Sequence, residues 1–213
     1  MAGLDKVWAP VRDANGLPRP LLAYTLAAFE ACEAIDRVAL VVTENAVALA
    51  QALVRDAPFE KVCAIVAGGA RRQDSVRAGL QALGPCDWAV VHDGARPLVT
   101  PALIERGLAE ARATGASCCA LPVADTVKES DDGRRVARTL DRSRLWLAQT
   151  PQVFRYGLLL EAHRSAQGEA TDDAALVEAL GVQVRLYEGS PRNIKVTSPD
   201  DLALVEALLG RPA

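Results

Sequence analysis

The sequence predicts an α/β fold with a mainly parallel sheet and helices on both faces. Apolar runs of strand length alternate with segments of helical periodicity along most of the 213 residues, an order typical of repeated βα units. The strand runs are almost continuously apolar, as expected where helices cover both faces of a sheet. Because 50% of the residues are hydrophobic, the chain can bury a sizeable core. We expect one domain over residues 1–213.

The first half of the chain alternates regularly. The predicted helices have apolar faces at helical spacing and span residues 20–32, 44–55, 74–83 and 101–114. The predicted strands are short apolar runs at residues 37–42, 62–66, 88–92 and 117–123. Thr43 and Thr100 are the predicted N-caps of the second and fourth helices, and Pro101 suits a first helical position.

From residue 125 to residue 154 the alternation breaks. Two polar extended stretches, 126–129 and 135–140, flank Ser130–Gly133, and Asp-Gly between extended runs is a hairpin signal. Since isolated hairpins are only marginally stable, we expect this β-arm, at about 125–154, to pack on a second subunit.

After the arm the alternation returns. Helical periodicity covers residues 156–166 and 172–180, and extended stretches cover 182–187 and 193–196. Ser198 then begins the last helix as its cap, with Pro199 at the first position.

Charge and cysteine content exclude several classes of protein. A net charge of −3 argues against non-specific nucleic-acid binding, which needs a basic surface. The five cysteines include no CxxC pair and are typical of reduced thiols in the cytoplasm. No uncharged apolar run reaches roughly 18 residues, and the first residues show no basic stretch followed by a long apolar one, so no signal-peptide pattern is visible. We therefore expect a cytoplasmic protein without a nucleic-acid or membrane partner.

Candidate site residues follow the predicted strands, because ligands of open α/β sheets bind beyond the carboxyl ends of the strands. After the second strand, Gly68 and Gly69 lead into a helix whose N–H groups favour anions, although a plain tight turn also explains such glycines. After the third strand, Asp93 suits Mg²⁺ and Arg96 could bind phosphate. An Asp93–Arg96 ion pair within a turn is the alternative.

Two further side chains leave structural and functional interpretations open. His92 ends an apolar strand, and a lone histidine there is more often structural. Lys195 lies between Ile194 and Val196 on a short extended stretch. It is either a functional cation or an exposed edge lysine that prevents aggregation.

The motifs taken together, in order, are more specific than any one of them. From about Asp5 to Leu209 the chain contains GGARRQDSV, VHDGARP, LPVADTVK, LDRSRLW, QTPQVF, ATDDAALVE and NIKVTSPDDL. In these it closely resembles the 2-C-methyl-D-erythritol 4-phosphate cytidylyltransferase family of isoprenoid biosynthesis. The resemblance implies a Rossmann-like nucleotidyltransferase fold, a homodimer locked by the arm, and Mg²⁺-dependent transfer of CMP from CTP to the sugar-alcohol phosphate. Such chemistry depends on positioning and charge neutralisation.

The resemblance also implies a role for each matching position. The catalytic cations are Lys6, which steadies the triphosphate, and Lys195, near the α-phosphate. The nucleotide contacts are Gly69, Ala70, Ser75, Asp93 and Arg96. The contacts to the sugar phosphate are Thr126, Arg142 and Thr171. Asp93 is also the implied Mg²⁺ ligand, and the two contacts on the arm, Thr126 and Arg142, are implied to serve the neighbouring subunit's site.

The chain departs from the family pattern at its beginning. The family normally begins with a strand and a glycine-rich loop, roughly A-A-G-x-G-x-R-x-G, whose N–H groups wrap the triphosphate. Here MAGLDK, ending at Lys6, matches only the end of that loop. We therefore expect the first strand and the glycine-rich loop to be absent from this chain. The cause is open between a start further upstream, omitted residues and a protein that lacks the strand.

Two other functions compete with this one. A ribitol 5-phosphate or related sugar-alcohol-phosphate cytidylyltransferase would share the CTP-binding motifs and differ at the acceptor contacts, Thr126, Arg142 and Thr171. A non-catalytic nucleotide-binding dimer would result if loss of the N-terminal loop abolished catalysis.

Overall fold

Helices and strands alternate along the chain much as the sequence predicts, and the computed structural model describes residues 6–13 and 16–210. The helices are α1 (Leu21–Ala31), α2 (Val47–Arg55), α3 (Arg72–Leu83), α4 (Pro101–Thr114), α5 (Tyr156–Ser165), α6 (Asp173–Glu178) and α7 (Pro199–Leu209). The strands are β1 (Pro10–Arg12), β2 (Pro18–Pro20), β3 (Val38–Val42), β4 (Val62–Ala67), β5 (Trp88–Val91), β6 (Ala116–Pro122), β7 (Lys128–Glu129), β8 (Arg138–Thr139), β9 (Trp146–Arg155) and β10 (Arg185–Glu188). Residues 1–5, on which the expectation about the glycine-rich loop rests, lie outside the described residues.

The local signals for helix ends are confirmed in part. The Thr100 hydroxyl accepts an N–H of the first turn of α4, and Ser198 forms a capping box with Asp201 at α7. The prediction for Thr43 is wrong, because this residue precedes a 3-10 turn and its side chain makes no capping hydrogen bond. The stretch 193–196 is not a strand.

The central sheet has the strand order β10-β6-β9-β5. β10 runs parallel to β6, and β9 runs antiparallel to both β6 and β5. β3 and β4 form a separate parallel pair. The α/β class is therefore confirmed, and β9 is the strand that makes the central sheet mixed.

The segment that becomes β9 corrects the predicted extent of the arm. We expected the arm to reach about residue 154, but Trp146–Arg155 forms the strand between β6 and β5. Gln149 and Gln152 hid this strand in the sequence, because buried glutamines interrupt the apolar run. Each is buried with hydrogen-bond partners, and Gln152, 1% exposed, donates to Asp172 at 2.8 Å. What projects from the sheet is the hairpin of β7 and β8.

Helices cover both faces of the central sheet. Neighbouring residues of β6 point to opposite faces, and each packs in a different apolar cluster. Cys118 packs in the cluster that contains Leu159 of α5, whereas Cys119 packs in the cluster that contains Ile104 of α4. No helix within the described ranges is long and apolar enough to cross a bilayer.

A slot separates the β3–β4 pair from the central sheet. β3 pairs only with β4, and β5 pairs only with β9, so each strand has a free edge among the described residues. Every residue of β3 and β5 lines one cavity of about 780 Å³, together with apolar side chains of α1 and α3 such as Leu26 and Leu80. This cavity is thus bounded by two strand edges that are free among the described residues.

Candidate active site

The turn after β5 carries the acidic residue that the sequence singles out. The Asp93 N–H donates to the Thr150 hydroxyl at 3.0 Å, and the Asp93 carbonyl accepts the Arg96 N–H at 2.9 Å. β9 thus holds the backbone of the turn from one side. The Asp93 side chain is 17% exposed, so its carboxylate lies in a recess that opens to solvent.

Three cations surround this carboxylate. Lys195 Nζ lies 2.8 Å from Asp93 Oδ2, and Arg96 Nε lies 3.7 Å from the same oxygen. Arg72 Nε lies 3.9 Å from the other oxygen, Oδ1. Burial alone would raise the pKa of Asp93, but the hydrogen bond from Lys195 and the three positive charges outweigh it and hold this pKa below its ordinary value. A surplus of positive charge around one carboxylate is suited to a polyphosphate ligand.

Lys195 is held in place by the residues on either side of it. The Asn193 side chain, fully buried, donates to the Thr150 carbonyl at 2.8 Å, and the Asn193 carbonyl accepts from the Arg96 guanidinium at 2.8 Å. On the other side, the Val196 N–H donates to the Ala95 carbonyl at 2.8 Å. The stretch is therefore pinned to the Asp93 turn at two points without being a strand, and the alternative of an edge lysine on a strand loses its basis.

Lys6 begins a 3-10 helix, Lys6–Trp8, that lies against the same turn. A Cβ added at Gly94 would lie 3.8 Å from Val7 Cγ1, so the residue after Lys6 lies close to the residue after Asp93. Sequence positions close to the two ends of the chain are thus brought to the carboxyl end of β5.

The loop between β4 and α3 contains the predicted nucleotide contacts Gly69 and Ala70, and Ser75 lies in the first turn of α3. The Gly69 N–H donates to the Ser75 hydroxyl at 3.1 Å, which closes the loop at the start of α3. A Cβ at Gly69 would lie 2.4 Å from the Asp74 Cβ, so no larger residue fits without rearrangement. The structure brings these residues together, but the Ser75 hydroxyl is engaged within the loop.

The predicted acceptor contacts lie apart from this cluster. Thr126 and Arg142 are exposed at the base of the hairpin, where Arg142 donates to the Ala124 carbonyl. Thr171 is exposed and directly precedes Asp172, the N-cap of α6. Within the described part of the chain, no hydrogen bond or ion pair joins these three side chains to the carboxylate of Asp93.

His92, next to Asp93, has the structural role that the sequence favours. Its Nε2 lies 3.2 Å from the Arg96 carbonyl, and its ring packs on Phe29 with 5.3 Å between centroids. Burial lowers its pKa to about 4, so the ring is neutral near pH 7.

Comparisons with known proteins identify the family of the chain. A model of the IspD family, 2-C-methyl-D-erythritol 4-phosphate cytidylyltransferase, matches residues 2–211. The chain belongs to this family. A 2-C-methyl-D-erythritol 4-phosphate cytidylyltransferase of Dehalococcoides mccartyi is 45% identical over 98% of this chain and 90% of its own length. One of Syntrophotalea carbinolica is 46% identical over 99% of this chain and 91% of its own length.

Solved structures of the same family share the fold. The crystal structure of the Thermus thermophilus cytidylyltransferase is 38% identical, with a TM-score of 0.79 over 98% of this chain and 95% of that one. The 4-diphosphocytidyl-2C-methyl-D-erythritol synthase of Anaerococcus prevotii is 28% identical, with a TM-score of 0.82 over 91% of this chain and 87% of that one. The resemblance inferred from the motifs is confirmed, and the chain is a cytidylyltransferase of isoprenoid biosynthesis.

The Mg²⁺ that the family resemblance implies fits Asp93 as a shared ligand. Mg²⁺ is commonly held by one or two carboxylates together with waters and substrate phosphates. Among the described residues, no group of three or more histidine, cysteine or acidic side chains could hold a metal. Asp93 therefore suits an ion that is shared with the triphosphate, and Arg72 lies 3.9 Å from its Oδ1, farther than Lys195 lies from Oδ2 at 2.8 Å.

Sequence reasoning missed Arg72 and Asn193, although both lie in motifs that it singled out. Arg72 is the first residue of α3, where the helix dipole disfavours a positive charge. A cation at this unfavourable position is a signal that could have marked it. Asn193 showed no such signal in the sequence. Its structural role depends on hydrogen bonds to Arg96, Gln149 and Thr150 that form only in the folded chain.

Proposed function

We propose that the chain carries out its family's reaction at the Asp93 cluster, transferring CMP from CTP to 2-C-methyl-D-erythritol 4-phosphate. The products are 4-diphosphocytidyl-2-C-methyl-D-erythritol and pyrophosphate. The observation that carries the proposal is the 2.8 Å contact between Lys195 and Asp93, flanked by Arg96 and Arg72. It joins distant motifs into one cationic recess at the carboxyl end of β5.

The reaction is an in-line displacement at phosphorus. An oxygen of the acceptor phosphate attacks the α-phosphorus of CTP, and the bond from that phosphorus to the bridging oxygen of the β-phosphate breaks as pyrophosphate leaves. Lys195 and Lys6 supply positive charge to the α-phosphate and the triphosphate, which favours the transition state most where water is excluded. Mg²⁺ held by Asp93 would neutralise triphosphate oxygens.

A pyrophosphate-release assay tests the activity and its acceptor. The protein is incubated with CTP, Mg²⁺ and either 2-C-methyl-D-erythritol 4-phosphate or ribitol 5-phosphate. We expect release with the first acceptor only. Release with ribitol phosphate alone would move the chain to the related cytidylyltransferases, and no release with either would favour the non-catalytic dimer.

We also propose that the hairpin of β7 and β8 serves a second copy of the chain. Only two residue pairs join the strands of the hairpin. Large apolar side chains are exposed on the hairpin and at its base, namely Val136, Trp146 and Leu147. A dimer would cover these side chains and would bring Thr126 and Arg142 to the partner's Asp93 cluster.

Mixing two impaired variants tests this arrangement, with activity measured at a sugar-phosphate concentration far below the wild-type KM. Lys195→Ala loses a cation of its own cluster, and Arg142→Ala loses the contact offered to the partner. If Arg142 acts across the dimer, unfolding and refolding the two variants together restores about a quarter of wild-type activity, because half of the dimers are mixed and each has one intact site. No recovery in a verified mixed dimer would place Arg142 in its own subunit's site.

We propose further that the slot between β3 and β5 seats one additional strand, followed by a glycine-rich loop that reaches the Asp93 turn. The support is geometric: both bounding strand edges are free among the described residues, the lining is largely apolar, and the cavity also touches Asp93 and Gly94 at one end. Free strand edges readily accept another strand. A loop at that end could wrap a triphosphate with backbone N–H groups.

Extending the chain at its N-terminus tests the slot. One extension carries an apolar strand and a glycine-rich loop, and the control carries the same loop with alternating aspartates in the strand. We expect the apolar extension alone to raise the Tm by several degrees and to slow amide exchange in β3 and β5. Equal behaviour of the two extensions would show that the slot takes no strand.

A further inference from the structure

The carboxylate of Asp173 is completely enclosed and is held from two directions. It is the first residue of α6 and has no exposed side-chain surface. His163 of α5 lies with Nε2 2.9 Å from Asp173 Oδ1, and Arg72 at the start of α3 lies with a terminal nitrogen 2.7 Å from Oδ2. A buried carboxylate is costly unless it is paired and hydrogen-bonded. Here both oxygens are satisfied.

Arg72 faces two carboxylates at once. Its terminal nitrogen binds Asp173 at 2.7 Å, while its Nε lies 3.9 Å from Asp93 Oδ1. The contact to Asp173 is short and partly buried, whereas the contact to Asp93 is long. The Arg72 guanidinium therefore interacts more strongly with Asp173 than with Asp93, and this interaction holds it at a distance from the Asp93 carboxylate.

The backbone around this ion pair is anchored independently. The Asp172 side chain caps α6 and accepts from Gln152 at 2.8 Å, which ties the helix start to β9. Gln73, the neighbour of Arg72, donates to the Gly168 carbonyl at 3.0 Å and accepts from the Ala170 N–H at 3.2 Å. The starts of α3 and α6 are thus fixed relative to each other, and the ion pair has a defined length and direction.

We propose that Asp173, clamped by His163, is a positioning residue that holds the Arg72 guanidinium beside Asp93 and available to the triphosphate. Without Asp173, Arg72 would be drawn to the nearest remaining carboxylate, that of Asp93. The collapse would occupy Asp93 Oδ1 and remove a cation from the nucleotide. The Asp173–Arg72 ion pair thus keeps the Arg72 guanidinium apart from the Asp93 carboxylate although their charges attract. This inference rests on the proposed function at the Asp93 cluster.

The test is a double-mutant cycle on CTP binding. The Kd of CTP with Mg²⁺ is measured by calorimetry for the wild type, Asp173→Asn, Arg72→Gln and the double variant. We expect Asp173→Asn to weaken binding by about 10- to 100-fold, as removal of an outer contact does at metal sites. In the Arg72→Gln background the same change should have almost no effect. Additive losses would overturn the proposal, because they would show that Asp173 does not act through Arg72.

Steady-state kinetics and a substitution of the neighbouring Asp172 distinguish a positioning role of Asp173 from a purely structural one. Asp173→Asn should raise the KM for CTP more than the KM for the sugar phosphate, and Asp172→Asn, which disturbs the same helix start without touching Arg72, should not reproduce this split. Equal splits in the two variants would reduce Asp173 to a structural role. If Asp173→Asn does not fold, His163→Gln replaces it, with a smaller effect in the same direction expected and no effect contradicting the proposal. If the wild type releases no pyrophosphate, the proposed function fails while the calorimetric cycle still decides the role of Asp173.

Discussion

The Asp93 turn and the β7–β8 hairpin carry residues implied in the same reaction, but the chain supports them very differently. Around Asp93, the backbone is bonded to Thr150 of β9, and the neighbouring loop is pinned through buried Asn193. The hairpin is joined by short strands, and its side-chain contacts, such as that of Lys128 with Thr139 at 2.8 Å, are exposed. The Asp93 turn is held in position by the fold of the chain itself, whereas the hairpin has little within the chain to hold it in position.

This contrast indicates where each region obtains its order. Buried, mutually bonded polar groups lose little further entropy when a ligand arrives, so the Asp93 cluster can be organised in advance. An exposed hairpin keeps its freedom until something packs on it. We therefore expect substitutions at the cluster to change turnover directly and those on the hairpin to change acceptor binding.

The largest effect is expected at Lys195. Lys195→Ala should lower kcat by about 100- to 1,000-fold, because it removes a preorganised charge from the transition state. The fold should survive, since the anchors are Asn193 and Val196 rather than the lysine. Steady-state kinetics and the Tm are measured beside Lys128→Ala, an exposed lysine of the hairpin. Unchanged kcat would remove Lys195 from the catalytic cluster.

A smaller effect is expected at Arg142. Arg142→Ala should raise the KM for the sugar phosphate about tenfold or more, because a charge-assisted hydrogen bond to phosphate is lost, with the KM for CTP little changed. Arg144 lies in the same exposed 3-10 turn and provides the matched control, Arg144→Ala, with wild-type kinetics expected. A change confined to the KM for CTP would refute the acceptor role of the hairpin.

The smallest effect concerns the turn of the hairpin. The N–H groups of Arg135 and Arg134 donate to Asp132 at 2.8 and 2.9 Å, and with the Arg135 guanidinium they lower the Asp132 pKa to about 2. Because the folded pKa lies below the ordinary one of about 3.9, this stabilisation is present above about pH 4 and is lost as the pH falls through about 2.

Carboxyl NMR titration and amide exchange measure this effect. We expect Asp132→Ala to speed exchange at Arg134 and Arg135, while Asp131→Ala, at the neighbouring acid, leaves both rates unchanged. The Asp93 cluster should keep its kinetics in both variants. An ordinary titration of Asp132 would mean that the turn is not organised in solution without a partner.

Much of the site was predictable because ligand-binding residues of α/β folds follow strands. Asp93 and Arg96 came from this rule, Lys195 was a candidate because it lies between Ile194 and Val196, and the motifs implied its catalytic role. Arg72 and Asp173 could not be recognised as partners, because 101 residues separate them in the sequence and neither position identifies the other. The central position of β9 also escaped prediction, since its glutamines find buried partners only after folding.

By itself, the sequence determined the α/β class, the helix caps at Thr100 and Ser198, and the family, because these depend on local periodicity, on neighbouring residues and on motif order. Only the tertiary structure decided that Lys195 meets Asp93, that Arg72 is shared between two carboxylates, and that a slot runs between β3 and β5. The physical reason is that ion pairs and strand edges depend on distances in space, and the fold sets those distances between residues far apart in the chain.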